Sequence, residues 1–162
     1  MEIQQAFRAK RVNNWVVDIW SPEKRSEVMS LIRGQGTKPE LALQGIVRKA
    51  LPRWKVETHP RALAGRPDLF VPSLRLAIFV EGCFWHSCPR HGKVPQTNVD
   101  YWIPKLEATV SRDRRVERRL RGQGISVWHV WEHDLRPARL RVTSSALSRR
   151  LQSRAAALGA RR

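Results

Sequence analysis

The spacing of apolar residues changes character along this chain. In SPEKRSEVMSLIRGQG, residues 21–36, Val28, Met29 and Ile32 share one helical face. Ser21 is placed to cap that helix, Pro22 suits its first position and Gly34 stops it. TKPELALQGIVRKALPRW repeats the design: Thr37 and Glu40 form a T-x-x-E capping box, Leu41, Leu43, Ile46 and Val47 supply the apolar face, and Pro52 ends it. The two segments predict a short antiparallel helix pair. From residue 66 the period shortens. RPDLFVPSLRLAIFVEG carries LFV and LAIFV separated by Pro72, Ser73 and Arg75, which predicts a β-hairpin whose second strand is central to a sheet.

Farther on, Ile103, Leu106, Val110, Val116 and Leu120 recur at helical spacing, with Gly122 and Gly124 as terminators. Pro104 is tolerated in a first turn, so this helix is predicted to begin near Tyr101. ISVWHVWEHDL predicts another strand, ending at Glu132 and His133, with Trp128 and Trp131 read as core. Leu140, Leu147, Leu151 and Leu158 among arginines predict a terminal helix. No internal repeat is present. The order helix, helix, strand, strand, long helix, strand, helix describes an α/β fold, a small sheet flanked by helices. Residues 1–20 show no clean period and are read as an N-terminal extension, 21–136 as the domain, and 137–162 as a basic, helical C-terminal tail.

Composition narrows the function. At 162 residues and 18.8 kDa the chain can bury one sizeable core. It has no long uncharged apolar run, and Lys10, Arg11 and Asp18 interrupt the N-terminus, so neither a membrane span nor a signal peptide is expected and the cytosol is the expected location. The 31 Lys and Arg against 14 Asp and Glu give a net charge of +17. Residues 136–162 hold eight arginines and no acid, yet removing those eight still leaves +9 on the rest. The body itself is basic, which points to nucleic acid rather than a membrane surface. Residues 105–121 add seven basic side chains against three acidic, a helix face suited to phosphates.

The candidate chemistry is concentrated between residues 68 and 133. With a two-residue hairpin turn at Leu74 and Arg75, Asp68 falls directly opposite Glu81, on the same face. Two opposed carboxylates repel unless a cation lies between them, and hard oxygen ligands suit Mg²⁺. Beside a polyanion-binding surface, such a metal activates water and neutralises a scissile phosphate, the chemistry of a phosphodiesterase. Cys83-x4-Cys88-x2-His91 supplies three ligands of the kind tetrahedral Zn²⁺ takes, and in a reducing compartment it is better read as metal-binding than as a disulfide. The fourth ligand is His86 or His133; His133 is favoured because it ties the loop to a remote strand and leaves His86 for proton transfer at the edge of the carboxylate site. Phe84 and Trp85, in a turn pinned by that zinc, are suited to wedge between base steps, and Trp102 can join them.

With these residues assembled, the chain resembles the very short patch repair (Vsr) DNA mismatch endonucleases of the PD-(D/E)xK nuclease superfamily. The likeness runs from about Ser21 to Arg136, through SPEKRSEVMSLIRGQGTKPE, GRPDLF, IFVEGCFWHSCPRHGKVPQTN, YWIPKLE, RDRR and VWHVWEHDL. GCFWH followed by the Cys/His cluster and a late VWE is its most specific part. The resemblance implies a restriction-endonuclease-like mixed sheet flanked by helices, a structural Zn²⁺, and a Mg²⁺-dependent nick 5′ of the thymine in T·G mismatches left by 5-methylcytosine deamination. It makes Asp68 the principal Mg²⁺ ligand, the Val80 backbone carbonyl a further one, His86 the catalytic histidine and Glu40 an active-site acid. Cys83, Cys88, His91 and His133 fall on the zinc cluster, and Phe84, Trp85 and Trp102 on the intercalating aromatics. Departures are Val80-Glu81 where some relatives have Thr-His, His133 where some have Cys, and Cys83 in place of the superfamily's usual lysine. Glu81 restores the superfamily acid and is read as catalytic and Mg²⁺-binding. The expected partner is mismatched duplex DNA, with mismatch-repair proteins as candidate associates, a monomeric chain and a bacterial, nucleoid-associated setting. The rival readings are a related nuclease with another DNA substrate and a non-catalytic, zinc-stabilised DNA-binding module.

Overall fold

The structure is a computed structural model that describes residues 19–31 and 34–159. The expectations for residues 1–18, Ile32 and 160–162 lie outside that range. Helix α1 spans Pro22–Leu31 and α2 Lys38–Ala50; β1 is Glu57–Thr58, β2 Leu69–Val71 and β3 Leu76–Glu81. Helix α3 spans Val99–Gly122, β4 Ser126–Trp131 and α4 Pro137–Gly159, with 3₁₀ turns at Pro72–Leu74 and Glu132–Leu135. The strands form one mixed sheet in the order β1-β2-β3-β4. Pairs β1/β2 and β2/β3 are antiparallel, while β3/β4 is parallel and is bridged by the long crossover helix α3. The predicted mixed α/β architecture with a central β3 is therefore present. β3 is covered on both faces, which is why LAIFV reads as a continuous apolar run rather than an alternating one. The two-residue β1, Glu57–Thr58, carries no apolar pattern that could have announced it.

On one face Leu76, Ile78, Trp128 and Val130 pack with Leu43, Ile46 and Val47 of α2 and with Leu151 of α4. On the other, Ala77 and Val127 pack with Leu120 and Val116 of α3. Among the described residues the first two helices do not form the expected packed pair. α1 buries only Arg25, whose guanidinium donates to the Trp20 carbonyl at 2.9 Å and lies 4.9 Å above the Tyr101 ring. α2 has a full apolar stripe, Leu43, Ile46, Val47 and Ala50, and that stripe goes to the sheet and to α4. The segment expected as a tail thus contributes a fully buried leucine, Leu151, to the main core.

Two local expectations change. The hairpin turn is longer than two residues: Pro72 opens a 3₁₀ turn, Arg75 closes it in the left-handed region at φ 45°, and its N–H donates to the Pro72 carbonyl at 2.9 Å. The Arg75 guanidinium pins this bend by donating to the carbonyls of Gln123 and Gly124. Leu69 consequently pairs with Ile78 and Val71 with Leu76, and continuing that register sets Asp68 opposite Phe79, not Glu81. The offset is an even number of residues, so Asp68 and Glu81 still share a face. Helix α3 starts at Val99, earlier than expected, and holds Pro104 in its second turn, where the missing N–H leaves the Asp100 carbonyl without its helical donor.

Candidate active site

A cleft of about 500 Å³ opens on the α3 side of the sheet, and Asp68, Glu81 and His86 all line it, together with Val80. Asp68 immediately precedes β2. The turn before it brings Gly65 against α3 so closely that a Cβ there would lie 2.4 Å from Val116 Cγ1, at a φ of +73° that only glycine adopts freely. Asp68 Oδ2 accepts from the Val80 N–H at 2.7 Å, and Oδ1 lies 3.8 Å from His59 Nδ1. His59 Nε2 is in turn 3.3 Å from Glu40 Oε2.

Glu40 serves two purposes. Its Oε2 accepts from the Gly36 N–H at 2.9 Å and its Oε1 from the Thr37 hydroxyl at 2.7 Å, while Thr37 Oγ1 accepts from the Glu40 N–H at the α2 N-terminus. Only the Thr37 half of the capping box forms, since the Glu40 carboxylate returns to the Gly36 N–H and the Thr37 hydroxyl rather than to the Thr37 N–H, and this holds the carboxylate near Asp68. Burial pushes the Asp68 carboxyl up to about 6; the Val80 N–H works against that rise and the Glu40 charge adds to it. A carboxylate whose charge is this costly, with a second one nearby, is a site that a divalent cation relieves. Glu40, His59 and Asp68 each bring one ligand atom within 4.8 Å of the others.

Glu81 belongs to a different group. It is only 5% exposed. Its Oε2 lies 2.5 Å from His86 Nδ1 and its Oε1 2.5 Å from His129 Nδ1. His86 Nδ1 also reaches Asp113 Oδ2 at 2.7 Å. Burial raises Glu81, but hydrogen bonds from His129 and His86 outweigh it and hold the carboxyl at about 2. Burial likewise disfavours protonation of His86, yet its bonds to Asp113 and Glu81 lift the imidazole to about 9. The bond to Glu81 raises His129 as well. At neutral pH His86 is therefore an imidazolium beside the buried Glu81 carboxylate, with a proton available on His86. Both carboxylate contacts use Nδ1, so neither engages Nε2.

Three residues of this cleft were not read from sequence. Asp113 lies three positions from both Val110 and Val116, a spacing that marks the inward side of α3 and could have found it. His129 shares a face of β4 with Val127, and the parallel register pairs it with Phe79, two residues before Glu81 on the same face. His59 follows a strand too short to predict.

The Cys/His stretch folds into a tight loop. The Cys88 N–H donates to the Cys83 carbonyl at 2.9 Å and the Gly92 N–H to the Cys88 carbonyl at 2.7 Å. A Cβ on Gly92 would sit 2.6 Å from the Cys88 carbonyl oxygen, which requires glycine there. Both cysteines are free thiols and buried. His133 Nδ1 lies 3.1 Å from Cys83 Sγ and 3.7 Å from Cys88 Sγ, and His91 Nδ1 lies 4.0 and 3.8 Å from the same sulfurs. Tetrahedral Zn²⁺ with bonds near 2.3 Å to sulfur and 2.0–2.1 Å to nitrogen separates S and N ligands by about 3.6 Å, so the four residues fit that ion. Burial, together with the adjacent Cys88, pushes the Cys83 thiol up to about 12, a penalty on thiolate that a bound cation removes. His133 sits in this cluster, and His86 does not.

Between the two regions stand the aromatics. Phe84 packs edge-on against Trp85 and Trp102, with ring centroids 4.9 and 5.2 Å away. Trp102 is 3% exposed, whereas Phe84 and Trp85 are half-buried. Trp102 was expected as part of an exposed wedge; in this conformation it backs the other two rings, because Phe84, Trp85 and Tyr101 cover it. On α3, Arg112, Arg114, Arg115, Arg118 and Arg119 are exposed, and Arg112 reaches the cleft.

The family model for the DNA mismatch endonuclease Vsr matches residues 17–90. The chain is 40% identical over 122 residues to the type II nicking enzyme V.XorIIP of Xanthomonas oryzae pv. oryzae, covering 74% of this chain and 88% of that protein. It is 42% identical over 113 residues to the type II nicking enzyme V.NaeI of Lentzea aerocolonigenes, covering 68% of each. It is 36% identical over 138 residues to the DNA mismatch endonuclease Vsr of Escherichia coli, covering 85% of this chain and 86% of that one. On these similarities, the chain belongs to the Vsr DNA mismatch endonuclease family.

Proposed function

We propose that this protein is a Mg²⁺-dependent endonuclease that nicks one strand of duplex DNA 5′ of the thymine in a T·G mismatch, on a restriction-endonuclease-like scaffold. The observation that carries the reading is the juxtaposition, in one cleft, of Asp68, which has the Glu40 carboxylate nearby, and His86, which is bonded through Nδ1 to Glu81 and Asp113. Asp68 has its pKa lifted to about 6 with Glu40 nearby, and His86 is held as an imidazolium by Glu81 and Asp113. Asp68 and the Val80 carbonyl would hold the metal, with Glu40 close by. When bound, Mg²⁺ supplies charge neutralisation at the scissile phosphate and a lower pKa for an attacking water.

The chain's own groups do the rest. His86, fixed through Nδ1, carries a proton for the leaving oxygen. Glu81 was read from sequence as a Mg²⁺ ligand; with both oxygens engaged by His86 and His129, its role in this proposal is to orient and charge His86. A Zn²⁺ held by Cys83, Cys88, His91 and His133 would tie the loop after β3 to the turn after β4, which fixes His86, Phe84 and Trp85 relative to the cleft. Phe84 and Trp85, backed by Trp102, are placed to unstack a base step. The arginines of α3 are placed to meet phosphates.

The test is strand nicking on matched and mismatched duplexes with and without Mg²⁺. Nicking of T·G but not T·A duplexes is expected, abolished by chelation. Equal nicking of both duplexes would instead support a related nuclease with another DNA substrate, and metal-independent binding with no cleavage would support the non-catalytic module.

A further inference from the structure

His59 is an imidazole in the cleft that neither the proton-transfer group nor the Cys/His cluster uses. Its position is set by backbone pairing. β1 runs Glu57 opposite Phe70 and Thr58 opposite Leu69, and the ladder continues one step further, the His59 N–H donating to the Asp68 carbonyl at 3.4 Å. His59 is therefore the direct cross-strand neighbour of Asp68, and such neighbours have Cβ atoms about 4.5–5.5 Å apart. The ring lies between the two carboxylates, 3.3 Å from Glu40 Oε2 and 3.8 Å from Asp68 Oδ1. The two contacts use different ring nitrogens, Nε2 toward Glu40 and Nδ1 toward Asp68, but one ligand atom from each of the three residues lies within 4.8 Å of the others, close to the about 4.2 Å that separates opposite ligands at about 2.1 Å on an octahedral ion.

We propose that His59 is a protein ligand of the hydrolytic metal together with Asp68 and Glu40, making the site a mixed oxygen and nitrogen set that favours Mn²⁺ over Mg²⁺. The proposal deepens the nuclease reading and rests on its metal site. Mg²⁺ is served by carboxylates, carbonyls and water, while affinity for imidazole rises along the first transition row. A Mg²⁺ site needs no histidine beside its carboxylates, so an imidazole presented to both acids biases the site toward ions that take nitrogen.

The experiment uses the full zinc-loaded chain and its His59→Asn variant, an exchange that suits the left-handed φ of 45° at this position. Mn²⁺ and Mg²⁺ binding are titrated separately by calorimetry, Mn²⁺ also by electron paramagnetic resonance. Losing the ligand is expected to weaken Mn²⁺ binding by about ten- to a hundredfold while Mg²⁺ changes by less than about threefold. In the wild type, Mn²⁺ should broaden the imidazole resonances of His59 ahead of those of His86 and His129, a readout independent of how the variant folds. Equal loss of both ions, no loss of either, or sparing of the His59 resonances overturns the proposal. Failure of the nuclease reading looks different: no duplex is nicked with either ion, whatever the metal preference.

Discussion

Asp68 concentrates the conflict between stability and chemistry in this protein. Its pKa rises from 3.8 to about 6 because burial disfavours the charged form and Glu40 adds repulsion, the Val80 N–H offsetting part of it. A carboxyl whose folded pKa is raised binds its proton more tightly in the folded state. Its ionisation therefore costs stability at pH values above about 6, and the cost disappears as pH falls to 4 and below. At 1.36 kcal/mol per pH unit the cost is about 3 kcal/mol at neutral pH. Asp68→Asn should consequently stabilise the metal-free protein by about 2 kcal/mol at pH 7.5, with the gain vanishing near pH 4, as measured by urea unfolding across pH. The same variant should lose nicking while keeping duplex binding. A variant no more stable than wild type at pH 7.5 would contradict the assigned strain. Part of this residue-level cleft was legible: Asp68, Glu81 and His86 carry acid or base chemistry beside recognisable turns and line it together, whereas Glu40 was legible as a capping residue and its place in an active site was implied by the family resemblance alone. His59, Asp113 and His129 were not, because each acquires its role from a neighbour far away in sequence.

At the scale of elements, the loop from Gly82 to Gly92 joins two sites. Its short hydrogen bonds and buried thiols set one end, and His133, from the turn after β4, sets the other. Phe84, Trp85 and His86 lie between these anchors, so losing one ligand should release the proton donor and the aromatic pair together. Cys88→Ser is expected to lower zinc content below one equivalent, reduce the melting temperature and cut nicking by about a hundredfold, while the far-ultraviolet dichroism of the sheet and helices persists. Unchanged nicking in a zinc-free variant would show that the loop holds its shape without the ion. The sequence predicted the helices, the central strand and the final strand from their periods. It missed the longer 3₁₀ hairpin turn, since the Arg75 guanidinium that braces it bonds to Gln123 and Gly124, nearly fifty residues on.

For the whole molecule, charge and layering act on different faces. α2 and α4 close one side of the sheet, α3 the other, and the cleft opens on the α3 side beside its exposed arginines. If those arginines meet phosphates, replacing Arg115 and Arg118 by Gln should weaken binding to every duplex alike and reduce the slope of log affinity against log salt by about 1 per contact. A loss confined to mismatched duplexes would instead assign them to mismatch recognition. The sequence by itself determined the local periods, the caps, the clustering of Cys83, Cys88 and His91, and a net charge of +17 that no fold requires. Those features depend on neighbours within a turn or two of the chain, where backbone geometry fixes distance. The tertiary structure alone decided the partners. A two-residue offset in the hairpin moves a facing side chain by about 6–7 Å, enough to take Glu81 away from Asp68 and set it between His86 and His129, with His59 beside Asp68 instead.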